Sequence, residues 1–499
     1  MLWATGAVLA IAFLYLIWRY VRGLRRSPRE LALLFISMII EYSAYGAVNL
    51  TFVLYLSKDC GLSDIGAGTY IAVWSMILTA TTILVGAVCD AIGIKRTLLV
   101  GLGMVITARA FIPFLHNLPA VSVLSFLPHA IGIALMGPVI SVGIKRYTTK
   151  EGMALGFALF YTLMNVGWAI GGQIFDAVRL SFGEHKMWIL PLVGAKVSTY
   201  QIIFLVGLCI SIPNVLVLLL MRNNVRMSEE GQVVLDPTPP RPPGGTAVAA
   251  WRTTVKAGQD TARIFSRVIS EKSFWVYLFM LSLLVPVRLV FYHFHYTFPK
   301  YGIRVLGEGV KIGNIYSVLN PTMIVFLVPL VGWLTRKISS YKMMLIGTTV
   351  SASAIFIATM PVDIFAPLMH TWFGDLVLNV WLRVPLAQQQ PVFLAIIFCV
   401  MVFTVGESIW SPRLMQFTAE IAPKGKEGSY ISLSYLPYFG AKMIAGPMSG
   451  WLLATYVPEH APSYPHHYLV WAWIGGMAVL SPLGLIAFHR LFHGAEQKA

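Results

Sequence analysis

Four ionisable side chains stand in the middle of apolar runs of the chain: Glu41, Arg288, Glu407 and Lys442. A charge near the centre of a bilayer costs at least ~3 kcal/mol, so it normally faces a partner or a water-filled path. Two acids and two bases could bind a zwitterionic or anionic organic molecule, or exchange ion pairs during a conformational change. Arg288 could hold a carboxylate of a substrate, of Glu41 or of Glu407, and Lys442 could neutralise Glu407.

Further polar side chains recur at helical spacing beside these charges, which indicates a polar path between helices. The residues that we expect to line it are Glu41, Tyr45, Asn49, Tyr161, Asn165, Arg288, Tyr292, Asn320, Glu407, Tyr435 and Lys442. Glu41 and Glu407 are the mid-helix carboxyls and therefore the candidates for proton coupling, which needs a carboxyl whose pKa is raised by burial. Arg109 lies towards a helix end, where we expect it to snorkel to the interface.

The elements that must position these residues are about thirteen apolar runs between Trp3 and Arg490. The chain has 499 residues and is 57% hydrophobic and 12% charged, about half the ~25% charged residues of soluble domains. Lys and Arg gather in alternate loops, the positive-inside pattern, which places the large central loop and the C-terminus in the cytoplasm. The sequence therefore predicts an all-α polytopic membrane protein. The placement of basic residues in cytoplasmic loops accounts for the net charge of +16, and we expect no nucleic-acid partner.

We divide the chain into four parts. Residues 1–30 are predicted to hold an extra N-terminal transmembrane helix and its basic flank, and residues 31–221 an N-terminal six-helix bundle. Residues 222–273 form a cytoplasmic linker, and residues 274–499 a C-terminal six-helix bundle. The linker begins with the Pro-rich DPTPPRPPGG and continues as a basic amphipathic helix. Such a helix is expected to lie on the membrane surface, with binding of a partner as the alternative.

Two short basic turns at matching places in the two bundles indicate an internal duplication. Gly86–Arg96 reads GAVCDAIGIKR and Gly332–Lys342 reads GWLTRKISSYK. The first resembles the Asp-containing motif between the second and third helices of the major facilitator superfamily. The resemblance implies two six-helix halves, twelve core helices in all, and a cytoplasmic gate in which Asp90 latches onto the start of the eleventh core helix. The residues of this gate motif are Gly86, Asp90, Gly93, Lys95 and Arg96.

A narrower resemblance, to the proton-dependent oligopeptide transporter family, is carried by several motifs in the order of that family. These are Tyr45–Gly46 followed by VLYL and GLSD, FYTLMNVG at 160–167, LNP at 319–321 and GESIWSP at 406–412. It implies a secondary active, proton-coupled transporter of small peptides or other small polar organic solutes, with Glu407 recognising a substrate amino group. The chain departs from the family's first-helix motif Glu-x-x-Glu-Arg, whose charged places hold Ser37, Ile40 and Glu41, the last in place of the Arg. It departs again at Gly137, which stands before Pro138 in place of a Lys. The missing groups belong to the family's proton-coupling and carboxylate-binding equipment.

Two other functions remain open on the same fold, namely efflux of amphipathic compounds and a non-transporting membrane sensor. An enzyme is not expected, because the sequence lacks H-E-x-x-H, G-x-S-x-G and paired intramembrane aspartates, and the lack of a P-loop argues against ATP-driven transport. We expect no cofactor and no metal site, since the four cysteines are scattered. The expected partners are the substrate, protons and the lipid bilayer. The protein is expected to be a monomer in the cell inner or plasma membrane.

Overall fold

The fold is a bundle of long α-helices. The computed structural model describes residues 15, 18, 22–115, 117–191, 194–228, 231–235, 252, 255, 259, 272–335, 337–421 and 436–490. In this part of the chain the long helices are α1 (Arg29–Lys58), α2 (Asp64–Ile92), α3 (Ile94–Phe111), α4 (Leu127–Tyr147), α5 (Lys150–Phe182), α6 (Thr199–Leu220), α7 (Lys272–Tyr296), α8 (Leu319–Leu334), α9 (Ser340–Ile355), α10 (Val392–Ile421), α11 (Leu436–Tyr456) and α12 (Tyr468–Ala487).

Short elements join the long helices. Two antiparallel hairpins pair β1 (Met187–Ile189) with β2 (Lys196–Ser198) and β3 (Val225–Met227) with β4 (Val233–Leu235). Helical turns lie in several other connections, at Ile112–Phe114, Leu118–Val121, Ser122–Phe126, Phe298–Tyr301, Gly302–Leu306, Asn314–Val318, Phe356–Thr359, Val362–Phe365, Ala366–Met369, Trp372–Asp375, Leu376–Trp381 and Leu386–Gln388.

Side-chain caps fix where several helices begin. The side chains of Ser63, Thr149 and Ser198 accept backbone N–H groups in the first turns of α2, α5 and α6, at 3.1, 3.2 and 3.1 Å, which satisfies donors that the helix leaves unpaired. Gln201 completes a capping box by accepting the backbone N–H of Ser198 at 2.8 Å. Gly93 separates α2 from α3 with a φ of 85°, a conformation that favours glycine.

Eleven helices in the described part of the chain, α1–α10 and α12, are long and apolar enough to cross a bilayer. The helix α11 begins directly after residues 422–435, which lie outside that part. The prediction of an all-α polytopic membrane fold is confirmed. The predicted N-terminal extra helix falls almost wholly outside the described residues, and so does most of the linker between 236 and 271.

We call α1–α6 the N-terminal half and α7–α12 the C-terminal half. They meet mainly where α2 packs on α11 and α5 on α8. Two close approaches between the halves need glycine. Where α2 crosses α11, a Cβ on Gly68 would lie 2.1 Å from the carbonyl oxygen of Gly446, and in the segment that leads into α8, a Cβ on Gly313 would lie 2.7 Å from the carbonyl oxygen of Gly172 on α5. Backbone therefore packs on backbone where the two halves meet, towards the end of the bundle that the loop charges predict to be the outer one.

Candidate functional site

Glu407 lies on α10, almost fully buried, where α10 packs on α8. The side-chain amide of Asn320, near the start of α8, donates to Oε2 of Glu407 at 2.7 Å and also to Oγ1 of Thr404 at 2.9 Å. A buried carboxylate is costly unless it is hydrogen-bonded. The bond from Asn320 therefore holds one oxygen of Glu407 in place inside the C-terminal half.

Arg288 on α7 and Tyr161 on α5 lie within electrostatic range of Glu407. The charge of Arg288 interacts with that of Glu407, and both charges act on the phenol of Tyr161, which belongs to the N-terminal half. Asn165, one turn along α5, donates to the backbone carbonyl of Tyr161 at 2.8 Å. The structure thus brings these predicted site residues together at the contact between the two halves.

Lys442 on α11 reaches from the C-terminal half to the N-terminal half. Its Nζ donates to Oγ1 of Thr79 on α2 at 2.9 Å and lies 5.7 Å from the centroid of the Tyr292 ring. Tyr292 stacks on Tyr296, with ring centroids 5.9 Å apart. Within the described residues Lys442 therefore contacts a hydroxyl and an aromatic face, and no ion pair with Glu407 forms. The predicted site residue Tyr435 lies outside the described residues.

Glu41 is paired inside the N-terminal half. Its Oε1 lies 2.7 Å from Nη2 of Arg109 on α3. The hydroxyl of Ser211 on α6 donates to the other carboxylate oxygen at 2.9 Å and accepts from Arg109 at 2.5 Å. The prediction that Arg109 snorkels to the interface is wrong: its side chain is completely buried, because α1 and α6 supply an acid and a hydroxyl within the core.

The other members of the predicted α1 stripe lie among aromatic rings. Tyr45 is half-buried, with its ring centroid 5.4 Å from that of Trp168 and 6.2 Å from that of His129, and Asn49 is buried. His129 on α4 packs against Phe52 at 5.3 Å, and neither of its ring nitrogens has a hydrogen-bond partner among the described residues. Sequence reasoning missed His129, although a lone histidine in the apolar run that forms α4 was a signal.

An ion-pair cluster joins the halves at the predicted outer end. Asp64, the first residue of α2, accepts from Lys300 at 2.7 Å and from the two terminal nitrogens of Arg304 at 2.8 and 2.9 Å. Lys58 at the end of α1 pairs with Glu459, which follows α11 and lies 3.5 Å from Arg304. A polar cavity of about 240 Å³ lies beside the cluster. The cluster therefore closes this end of the interface.

The pKa values of Lys300 and Glu459, the two members that lie in connections outside the spans, depart from their usual ranges. Burial lowers the pKa of Lys300, although Asp64 partly opposes this shift. Burial by itself would raise the pKa of Glu459, but Lys58 and Arg304 hold it below its usual range. Glu459 is therefore ionised at neutral pH, and its link to Lys58 is present there.

A second link joins α5 to the segment that leads into α8. The buried carboxylate of Asp176 accepts the backbone N–H groups of Gly313 at 2.9 Å and Asn314 at 2.7 Å, and lies 3.0 Å from Arg179. It thereby caps backbone donors of the opposite half. Sequence reasoning gave no role to Asp176 and noted Asp64 only as part of the GLSD motif.

Comparison with known families decides the identity of this fold. Residues 34–380 match the model of the Major Facilitator Superfamily, which is more than half of the chain. The chain belongs to the major facilitator superfamily. This confirms the resemblance that Gly86–Arg96 carries, and it makes the protein an integral, multi-pass membrane protein with the architecture of a secondary transporter.

Similar proteins in the superfamily agree over nearly the whole length. The protein described as "Uncharacterized MFS-type transporter YttB" of Bacillus subtilis (strain 168) is 22% identical over 429 residues, covering 86% of this chain and 89% of the relative. A POT family transporter solved in complex with 5-aminolevulinic acid superposes with a TM-score of 0.66 at 16% identity, covering 92% of this chain and 96% of that one. A POT family transporter in complex with a thioalcohol-conjugated peptide gives 0.67 at 15% identity, covering 94% and 99%. At these identities the structural matches show the shared fold.

The superfamily motif Gly86–Arg96 spans the turn from α2 to α3. The ammonium of Lys95 donates to the backbone carbonyls of Leu219 and Met221, at 2.7 and 2.6 Å. A cation at this helix end satisfies carbonyls that α6 leaves unpaired and complements its dipole. The side chain of Asp90 and residues 422–435 lie outside the described part of the chain, so the latch onto α11 stays a prediction.

Proposed function

We propose that this protein is a proton-coupled secondary active transporter that moves small peptides or other small polar organic solutes by alternating access. The observation that carries the proposal is the position of Glu407, Arg288 and Lys442 on three helices of one half, where they face the other half. Lipid would disfavour each of these charges by at least ~3 kcal/mol, whereas a water-filled path accommodates them.

The links between the halves support an alternating mechanism. Asp64 with its two basic partners, and Asp176 with the backbone at Gly313, hold together the predicted outer ends. Opening that side requires both links to break while each half moves as a body. The cytoplasmic motif around Lys95 lies at the opposite end of α2, where it would close the path in the outward-open state.

Solved relatives with bound ligands support a small substrate that carries polar groups. One was crystallised with 5-aminolevulinic acid and another with a thioalcohol-conjugated peptide. In this chain Glu407 would receive the amino group of such a substrate, as the GESIWSP resemblance implies. Arg288 and Lys442 are the nearby bases that could receive an acidic group.

Glu407 is also the residue that we assign to proton coupling. A carboxyl that is protonated on the outer side can still accept a hydrogen bond from the substrate through its carbonyl oxygen, so the proton and the substrate would be carried inward together and released inside. The other predicted candidate, Glu41, is less suited because a proton on its carboxylate would leave the buried guanidinium of Arg109 without a counter-charge.

We further propose that the protein acts as a monomer in the cell inner or plasma membrane. The linker at 222–273 and the C-terminus would lie in the cytoplasm, and residues 1–30 would add a span ahead of the two six-helix bundles at 31–221 and 274–499. The alternation of basic and non-basic loops supports this orientation.

Purified protein in liposomes that enclose a pH-sensitive dye, clamped inside-negative, tests the proposal when a pool of di- and tripeptides is added outside. We expect substrate-dependent internal acidification that Glu407→Gln removes. Peptide uptake without acidification would remove proton coupling and leave transport. If peptides cause neither uptake nor a shift in the unfolding temperature, amphipathic efflux substrates or a sensor role would replace peptide transport.

A further inference from the structure

The N-terminal half lacks the cations that its family resemblance leads one to expect. Glu41 stands in the place of an Arg, and its own charge is cancelled by Arg109 at 2.7 Å. Gly137 stands in the place of a Lys before Pro138, and a Cβ built on it would meet no atom within 4 Å among the described residues. That position therefore has room for a side chain, but the chain places no cation there.

The C-terminal half carries a cation, Lys442, that has no acidic partner in the part of the chain that the structure describes. Lys442 is half-buried, and its ammonium contacts the hydroxyl of Thr79 and the ring of Tyr292. No carboxylate of the described residues lies within 4 Å of it. A hydroxyl and an aromatic face replace only part of the hydration of an ammonium group. A counter-charge supplied from outside the protein would therefore be stabilised at Lys442.

A second basic side chain lies near Lys442. Arg288 is close enough to Lys442 for the two charges to repel, and its guanidinium also lies 5.1 Å from the centroid of the Phe291 ring. Glu407 attracts Arg288, but one of its oxygens already accepts from Asn320. Protonation of Glu407 would therefore remove a negative charge from the neighbourhood of both bases.

Resting on the proposed transport function, we infer that Lys442, assisted by Arg288, forms an anion subsite in the C-terminal half. The solutes that fit this site carry one carboxylate more than they carry amino groups, as an acidic dipeptide does. Such a carboxylate supplies the counter-charge that Lys442 lacks. Because Thr79 belongs to the N-terminal half, turning the ammonium from Thr79 to the substrate also releases a contact between the halves.

The test uses the isosteric dipeptides Ala-Glu and Ala-Gln, which differ by one negative charge at neutral pH. Uptake by reconstituted full-length protein is measured for each peptide, and binding is measured separately by the shift in unfolding temperature. We expect a KM for Ala-Glu about tenfold below that for Ala-Gln, as the loss of one charge-assisted bond implies. Lys442→Gln should bring the ratio of the two KM values close to one, and Lys442→Arg should restore most of the preference.

A matched control is Lys337→Gln, which removes an exposed lysine from the turn between α8 and α9 and should leave the ratio as in the wild type. Equal KM values for the two peptides, unchanged in Lys442→Gln, would overturn the subsite and leave transport standing. If Ala-Glu raises the unfolding temperature of the wild type but not of Lys442→Gln, and no uptake is measured, the subsite would be supported and transport overturned. If there is neither uptake nor a shift in unfolding temperature, the subsite and the transport function would both be overturned. If inorganic sulfate gives an equal shift in unfolding temperature that also depends on Lys442, the assignment to an organic carboxylate would be overturned.

Discussion

Each half of the molecule buries a carboxylate in mid-helix, and the two carboxylates differ in the partners that surround them. In the N-terminal half, Glu41 meets Arg109 and Ser211 on neighbouring helices of the same half. In the C-terminal half, Glu407 meets the neutral amide of Asn320, while the base Lys442 bonds across to Thr79. The N-terminal half therefore neutralises its buried charge within its own core, whereas the C-terminal half has its charged side chains near the interface between the halves.

This difference distinguishes charges that stabilise the fold from charges that could take part in transport. A charge neutralised within one half keeps its partner when the halves move relative to each other, so it can stabilise that half in every state. A charge that faces the interface changes its surroundings with each movement and can respond to a substrate or a proton. The position of a partner relative to the interface therefore indicates function better than burial alone.

The largest expected effect tests the paired side of the comparison. Arg109→Leu leaves Glu41 buried without a counter-charge and should lower the free energy of unfolding by about 3–5 kcal/mol. Thermal unfolding of the purified protein measures this loss. The double variant Glu41→Gln/Arg109→Leu should recover most of the stability and retain uptake. A stable double variant without transport would instead place Glu41 in the translocation path.

The next effect concerns Glu407, whose charge lies near the interface between the halves. Glu407→Gln keeps an oxygen that can accept from Asn320, so we expect the protein to insert and unfold like the wild type. Uptake should fall roughly a hundredfold, which corresponds to about 2.8 kcal/mol, because the amide can neither ionise nor carry a proton. Uptake into proteoliposomes, measured beside the melting curve, checks both statements. Full transport by this variant would remove Glu407 from the mechanism.

A smaller effect is expected where the halves touch. Gly68→Ala places a methyl group 2.1 Å from the carbonyl oxygen of Gly446, and such overpacking costs about 1–3 kcal/mol. The substitution should favour separation of the outer ends. Spin labels at the exposed positions Lys186 and Ser463, in a cysteine-free background, should then report a longer distance. Gly103→Ala, where a Cβ meets open space among the described residues, should leave the distance unchanged.

The smallest effect concerns the link between Lys58 and Glu459. Glu459→Gln should weaken closure of the outer end by less than about 1 kcal/mol, since both side chains are partly exposed. The pKa of Glu459 is below its usual range, so its contribution is complete above the ordinary glutamate pKa of about 4.3. The contribution disappears as pH falls through the lowered pKa. The same spin-label distance, followed from pH 7 to pH 3, should stay constant down to about pH 4.3 in the wild type and lengthen below it, and this step should be absent in the variant.

Much of the fold was predictable because its signals are local. An apolar run of span length predicts a membrane helix wherever it occurs, and the apolar run Leu31–Leu56 of the sequence lies within α1, which extends over Arg29–Lys58. The helix α5 is longer than the apolar run Gly152–Ala177 that it contains, since Thr149 caps its start. The hairpin of β1 and β2 was not predicted, because a three-residue pair of strands carries too little sequence pattern.

The sequence by itself determined that this chain is a helical membrane protein of the major facilitator superfamily, and it indicated Glu407, Arg288 and Lys442 as site residues. Only the tertiary structure decided that Glu41 pairs with Arg109, and that Asp64 and Asp176 link the halves. Apolar length and short motifs depend on neighbouring residues along the chain. Which charges meet depends on the rotation and crossing of helices that are distant in sequence, and this is set by the packing of the whole bundle.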